Sequence, residues 1–385
     1  MRSLHLRRDS FSVSKRNTNQ KAFYALLRAG LWEQDVRLSQ FGEVDYDLVY
    51  QQAVEQSVVG LVAAGIEHVV DVKVTQEIAL TFVGDTLQME QHNKEMNVFI
   101  AHLIEIMSNV GIFSLLLKGQ GIAQCYERPL WRASGDVDIL LSDDNYQKAK
   151  KLLLPRASYS NIEEKYGKHI GMTIDSWEVE LHGTQHCELS IIMDKVIDNV
   201  QNDVFEGFNV RKWMNGNTTV YLPASNNDLI FIFTHIIKHY FKEGVGLRQI
   251  CDWCRLLWTF KNSLNHELLE SQIRKMKLMS EWKAFASFAV EYLGMRPEYL
   301  PLYSNVKKWK RKADQNCDYI MKVGNFGHNR DMSYFSKYPY IIRKTISLWR
   351  RICYLLWQCH IFPYDSFRFI PSFLFNGIRS AMRGE

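Results

Sequence analysis

Nowhere in its 385 residues does the chain string together the roughly 18 apolar residues that crossing a bilayer requires. Its N-terminus, MRSLHLRRDSFSVSKRN, has no apolar stretch behind the basic residues, so it does not read as a secretory signal. The seven cysteines (Cys125, Cys187, Cys251, Cys254, Cys317, Cys353 and Cys359) are odd in number and scattered. That pattern excludes a disulfide framework and points to reduced thiols in a cytoplasmic protein. Excess charge is also scarce: a formal +5 suits contact with phosphates or an anionic surface, but does not single out a nucleic-acid binder. Repeats and low-complexity segments are absent as well.

What is present falls into blocks. Residues 1–20 are polar and basic and are predicted to form a loose tail. From 21 to 98 the apolar residues recur at three- and four-residue spacing, as in AFYALLRAGLW, YDLVYQQAVEQSVVGLVAAGI and the long run starting at Gln76. The texture changes near Gly111. FSLLLKG suits a buried strand, GIAQCYE a short helix and RPLWRASG a loop. DVDILLS alternates, with Val137, Ile139 and Leu141 on one face and Asp136 and Asp138 on the other. Ser142 is a plausible cap for the helix DDNYQKAKKLLL. SNIEEKYGKHIGMTI reads as a hairpin turning near Tyr166-Gly167, and SWEVELHGT as a further strand. The prediction is an α+β protein: a small mixed sheet at 99–222, between a helical N-terminal region and a helical C-terminal region at 223–385.

The carboxylates carry the chemistry. Two aspartates at i and i+2 of a strand project from one face and can share a cation. In SWEVELH, Glu178, Glu180 and His182 share a face in the same way, so Glu180 or Glu178 is the natural third ligand. Three carboxylate oxygens suit Mg²⁺ (or Mn²⁺), which takes a few carboxylates together with waters and phosphate oxygens. Against this stands the plain reading of a solvated strand face, because D-x-D alone is common.

The ordered set Lys118-Gly119, Arg132, Asp136-Val137-Asp138 and Glu180-Leu181-His182 resembles the polymerase-β-like nucleotidyltransferase superfamily. It looks most like the branch of uncharacterised nucleotidyltransferases, and the later THIIKH and RQICDW segments resemble that branch's helical region. The resemblance implies a metal-binding core fold with Asp136, Asp138 and Glu180 as catalytic metal ligands. It also implies that Lys118, Gly119, Gln120, Arg132 and His182 form the nucleotide side. The expected reaction moves a nucleoside monophosphate from a nucleoside triphosphate, ATP foremost, to a hydroxyl or phosphate acceptor. That acceptor is a small molecule, a sugar, a protein or an RNA end. One departure stands out: where the superfamily has a Gly-Ser pair, Gly119 is followed by Gln120, leaving Lys118 and backbone N–H groups as the phosphate contacts. The alternative is a catalytically inactive nucleotide-binding or scaffold protein.

Other residues carry rival readings. Arg132 either clamps phosphates or pairs with Asp136, and His182 touches substrate or orients Glu180. His235 and His239 sit four apart on a helix, but without an H-E-x-x-H pattern they read as packing or substrate-lining residues rather than a zinc site. Cys251 and Cys254 lie inside a helical pattern without a redox context, and Asp252 between them faces the cleft or caps an arginine. The tail from Lys337 interleaves Arg343, Lys344, Arg350 and Arg351 with Trp349, Tyr354 and Trp357. It fits either an anionic membrane surface or an ordinary helical region with basic edges. No recognised nucleic-acid-binding motif occurs.

Overall fold

The computed structural model describes residues 18–163, 168–327, 329 and 337–383. Helix α1 (Thr18–Trp32) starts inside the stretch expected to be tail, so the tail prediction holds for at most the residues before Thr18, which lie outside the described residues. The run at 46–66 is two helices, α2 (Tyr46–Glu55) and α3 (Val59–Glu67). They part at Gln56 and at Ser57, whose φ is 55°. Gln56 is fully buried there; its amide nitrogen donates to the Ile320 carbonyl and its amide oxygen accepts from the Leu247 N–H. Helices α1 and α3 cross at glycine: a Cβ on Gly65 would lie 2.0 Å from the Leu26 carbonyl oxygen.

Helix α4 (Gln76–Ser108) follows as predicted, and the boundary expected at 98–99 falls inside it. Its C-terminal half buries Phe99, Ile100, Leu103, Ile104 and Met107. Next come β1 (Ser114–Leu117), the short α5 (Gly119–Ala123), β2 (Asp136–Leu141) and α6 (Asp143–Leu153). Ser142 occupies the N-cap position of α6, but its side chain makes no cap hydrogen bond. The helix start relies instead on Asp143 and Asp144, and its end on Lys150 and Lys151, which complement the helix dipole. Strands β3 (Tyr159–Ser160) and β4 (His169–Ile174) form the expected antiparallel hairpin. The turn predicted at Tyr166-Gly167 lies outside the described residues. Strand β5 (Trp177–His182) completes a five-stranded mixed sheet of order β1-β2-β5-β4-β3, in which β2 and β5 run parallel.

Alternation gives this sheet two different faces. Leu116, Val137, Ile139, Leu141, Ile170, Met172, Val179 and Leu181 pack with the end of α4 in one core. Leu115, Leu117 and Leu140 of the opposite face join the larger helical core. Helix α7 (Ile191–Phe205) and the hairpin of β6 (Val210–Asn215) and β7 (Thr218–Pro223) then lead into the helical region. Among its described residues that region holds α8 (Ser225–Lys242), α9 (Leu247–Thr259), α10 (His266–Met276), α11 (Met279–Leu293), α12 (Lys307–Val323), α13 (Tyr340–Ile361) and α14 (Pro363–Arg383). Among the described residues no helix is long and apolar enough to cross a membrane.

Candidate active site

Register assembles the polar face of the sheet. The parallel pairing sets Asp136 beside Glu178 and Asp138 beside Glu180, while the antiparallel pairing sets His169 beside His182. The side chains between them point into the opposite core, so six ionisable groups from three strands face the same way. Asp136, Asp138 and Glu180 bring one oxygen each to within 4.8 Å of the others. Asp136 is exposed and Asp138 is 2% exposed, so one carboxylate meets solvent while the other is held inside the protein.

The buried member is closely held. His182 Nε2 lies 2.6 Å from Asp138 Oδ1, and Lys118 Nζ donates to the same oxygen at 3.3 Å. Burial alone would raise the Asp138 pKa, but Lys118 and His182 outweigh it and hold the carboxyl below its ordinary value. For Lys118, burial works against the charge, yet Asp138, Asp136 and Glu180 together raise its pKa above the ordinary value. Asp136, although part of it reaches solvent, is pushed up, first by the like charge of Asp138 and then by the protein packed around its carboxyl. Glu180 is kept ionised: burial opposes the charge, but hydrogen bonding to His169 and His182 prevails. His182 is raised because its bonds to Asp138 and Glu180 overcome its own burial.

Lys118, the residue after β1, adopts φ 48°, and Gly119 follows at φ 38°. A lysine in that region carries strain of about 1–3 kcal/mol, the kind of cost that surrounding structure must impose. The turn aims Lys118 at the carboxylates instead of continuing the strand.

Facing the sheet is a wall from α8 and α9. Thr234, His235, Lys238 and His239 line the cleft from α8, and Arg248, Gln249 and Asp252 from α9. The cleft encloses about 370 Å³, within the usual range for small-ligand sites. This wall is basic, and burial works against its charges. Burial, with Lys118 and His239 nearby, holds His235 well below its ordinary pKa, and burial with Lys242 lowers Lys238. Arg248 donates to the Ala133 carbonyl, and its buried Nε has no partner among the described residues.

Several expected residues sit differently from the sequence reading. Arg132 lines the cleft, but its fork is engaged by Asp252, with Nε to Oδ1 at 3.0 Å and Nη2 to Oδ2 at 2.6 Å. The structural partner is therefore Asp252, not Asp136, and Asp252 both faces the cleft and holds the arginine. Gln120 does not line the cleft; it is buried and donates to Asn93 and Ser134. Gly119 and His182 do line it. His235 and His239 are cleft-lining, with ring centroids 4.2 Å apart, and His239 Nδ1 lies 2.9 Å from Glu243. Cys251 and Cys254 are buried, and burial raises the pKa of both thiols, so neither is a ready nucleophile. Sequence reasoning missed His169, Lys238 and Arg248. The first depends on strand register, and the other two on the docking of helices across the cleft.

The sequence profile of a family described as uncharacterised nucleotidyltransferase matches residues 42–294. No curated protein and no solved structure matches the chain.

Proposed function

The chain belongs to the uncharacterised nucleotidyltransferase family, and from that premise we propose that it moves a nucleoside monophosphate from a nucleoside triphosphate to a hydroxyl or phosphate acceptor. The observation that carries this reading is the convergence of Asp136, Asp138 and Glu180 from two adjacent parallel strands onto the floor of a cleft. Their donor set fits Mg²⁺: three hard oxygens within reach of one another, one exposed to solvent, with the Asp136 pKa raised by its like-charged neighbour. A divalent ion there supplies charge neutralisation at the transferring phosphorus and at the departing pyrophosphate.

The remaining work falls to the protein. Lys118, next to the carboxylates, and Lys238 and Arg248, opposite them, bracket the space with positive charge suited to a triphosphate. Glu180, held as a carboxylate by His169 and His182, stays charged and available as a metal ligand. Positioning across the cleft and charge complementarity then supply the catalysis. ATP is the nucleotide to test first.

The test is incubation with each of the four α-labelled nucleoside triphosphates, with and without Mg²⁺ or Mn²⁺, beside Asp138→Asn. Metal-dependent pyrophosphate release, reduced by at least about 100-fold in the variant, is the expected result. Turnover unchanged by the substitution, or no metal-dependent nucleotide binding at all, overturns the proposal.

Peripheral membrane contact has one observation of its own in favour. Helix α13 contains four basic and no acidic residues, and Leu348, Trp349 and Leu356 are exposed along it. Exposed apolar groups on a basic helix fit an anionic lipid surface. Sedimentation with anionic but not zwitterionic vesicles, weakened by Trp349→Ser, is the expected outcome; equal binding to both vesicle types removes the reading.

A further inference from the structure

Glu180 belongs to a second group of ligand atoms besides the carboxylate set: a ring nitrogen of His169, one of His182 and a Glu180 oxygen also lie within 4.8 Å of one another. Both imidazole nitrogens approach the same atom, Glu180 Oε2, at 3.1 Å and 3.4 Å. Their rings are cross-strand neighbours stacked with centroids 4.7 Å apart, so β4 and β5 hold them in place. A tetrahedral zinc ion with ligands at about 2.0–2.1 Å spaces those ligand atoms about 3.3–3.4 Å apart. The two nitrogen–oxygen distances are close to that spacing before any ion enters.

We infer that His169, His182 and Glu180 form a second cation site, of the imidazole-preferring class exemplified by Zn²⁺, adjoining the Asp136–Asp138 carboxylates. The two sites differ in chemistry. Mg²⁺ is a hard ion served by oxygens, whereas imidazole nitrogens suit zinc and the neighbouring late first-row ions. A carboxylate has two oxygens, so Glu180 can serve both sites as a bridge. All three residues line the cleft, which leaves a coordination position open to water or to a phosphate oxygen. Three protein ligands with one open position is the pattern of catalytic zinc, not of structural zinc.

The hydrogen bond between His182 Nε2 and Asp138 Oδ1 at 2.6 Å is compatible with this site. When a cation binds Nε2, the nitrogen's proton leaves and Asp138 faces a positive ion where it faced an N–H. A histidine pair that only hydrogen-bonds to Glu180 is the competing account. It predicts no selectivity for zinc over magnesium.

The full chain, stripped of metal with a chelator, is equilibrated with zinc sulfate in a large excess of Mg²⁺, desalted, and its zinc counted. One equivalent is expected in the wild type. His169→Ala should weaken retention by at least about 100-fold, since even losing a group that merely supports a ligand costs 10–100-fold. His186→Ala is the control. His186 also lines the cleft but bonds to Asp198, away from the proposed ligands, and zinc should be retained. X-ray absorption on the zinc-loaded wild type needs no variant and should show two imidazoles around the ion. The inference is overturned if the wild type retains no zinc, if His169→Ala retains as much as wild type, or if the zinc shell contains only oxygen. Zinc counting requires no turnover, so its failure leaves the nucleotidyl-transfer reading standing, and failure of that reading leaves the zinc result intact.

Discussion

Removing Asp252 should cost more stability than any other single change to the cleft wall. Arg132 is 5% exposed and Asp252 3% exposed, joined by two hydrogen bonds of 3.0 Å and 2.6 Å. Asp252 Oδ1 also accepts from the Tyr126 hydroxyl at 2.8 Å. In Asp252→Ala the guanidinium stays buried and cannot escape by losing its proton, because its pKa lies far above any working pH. Breaking a buried pair from one side costs about 3–5 kcal/mol. The stranded tyrosine hydroxyl adds about 1 kcal/mol. Against a usual total of about 5–15 kcal/mol, the variant is left marginal. Urea unfolding, followed by the fluorescence of the ten tryptophans, reads the change. The double variant Arg132→Met/Asp252→Leu tests the cause, because it removes both charges and fills the space. It should recover most of the loss, as apolar replacements of buried pairs commonly do. A loss below about 1 kcal/mol in the single variant, or a double variant no better than it, refutes the reasoning.

Two further perturbations probe the frame around the site. Glu281 is fully buried, and burial first, with the facing Asp365 carboxyl second, holds its pKa well above the ordinary value against the opposing pull of Lys312. A carboxyl raised in the folded state costs nothing below its unfolded pKa, about 4.3, and destabilises increasingly as pH rises from there toward the folded value. Each pH unit of that window costs about 1.4 kcal/mol. Glu281→Gln should therefore be more stable than wild type near neutral pH and lose the advantage near pH 4, with thermal melts at several pH values as the measure; an advantage independent of pH contradicts the account. Gly60 meets the loop before β2, where a Cβ would lie 2.0 Å from the Trp131 carbonyl oxygen, and both sides of that contact are backbone. Gly60→Ala should cost about 1–3 kcal/mol and weaken nucleotide binding by shifting Arg132, and an unchanged melting temperature would show that the contact relaxes freely.

The strands that carry the carboxylates were legible because their chemistry and their period coincide. In DVDILL the polar and apolar residues alternate, so the same spacing that marks a strand also puts Asp136 and Asp138 on one side. WEVELH repeats this for Glu180 and His182. His169 was not legible: it begins β4 with no ligand partner nearby in sequence, and only the antiparallel register brings it to His182. The fork of Arg132 pointed to an acidic partner, but the partner lies 120 residues away on α9. The β6–β7 hairpin did carry a signal that went unused. Gly216-Asn217 sits between two strand-like runs, and Gly216, the first of the two turn residues, adopts φ 60°, as a two-residue hairpin turn that opens on glycine requires. Ser142 is the opposite case. It stands at the N-cap position with the residue type a cap prefers, yet its hydroxyl makes no cap bond, and two aspartates in the first turn supply the negative charge that complements the dipole.

The two walls of the cleft explain each other electrostatically. Three carboxylates on one sheet face would repel, and Lys118 at 3.3 Å from Asp138 offsets that repulsion. At this separation a unit charge pair in a partly buried setting is worth a few kcal/mol, about 4 at 4 Å for an effective dielectric of 20. A divalent ion among the same oxygens would bring twice the charge and would make the lysine's contribution to them redundant. Lys118 is then free to turn its charge to an anion entering the cleft, where Lys238 and Arg248 stand on the far side. An anion without the cation would meet the carboxylates directly, and a cation without the anion would compete with Lys118. The arrangement therefore favours binding of the two together over either alone, and that coupling is what a metal–nucleotide complex would exploit.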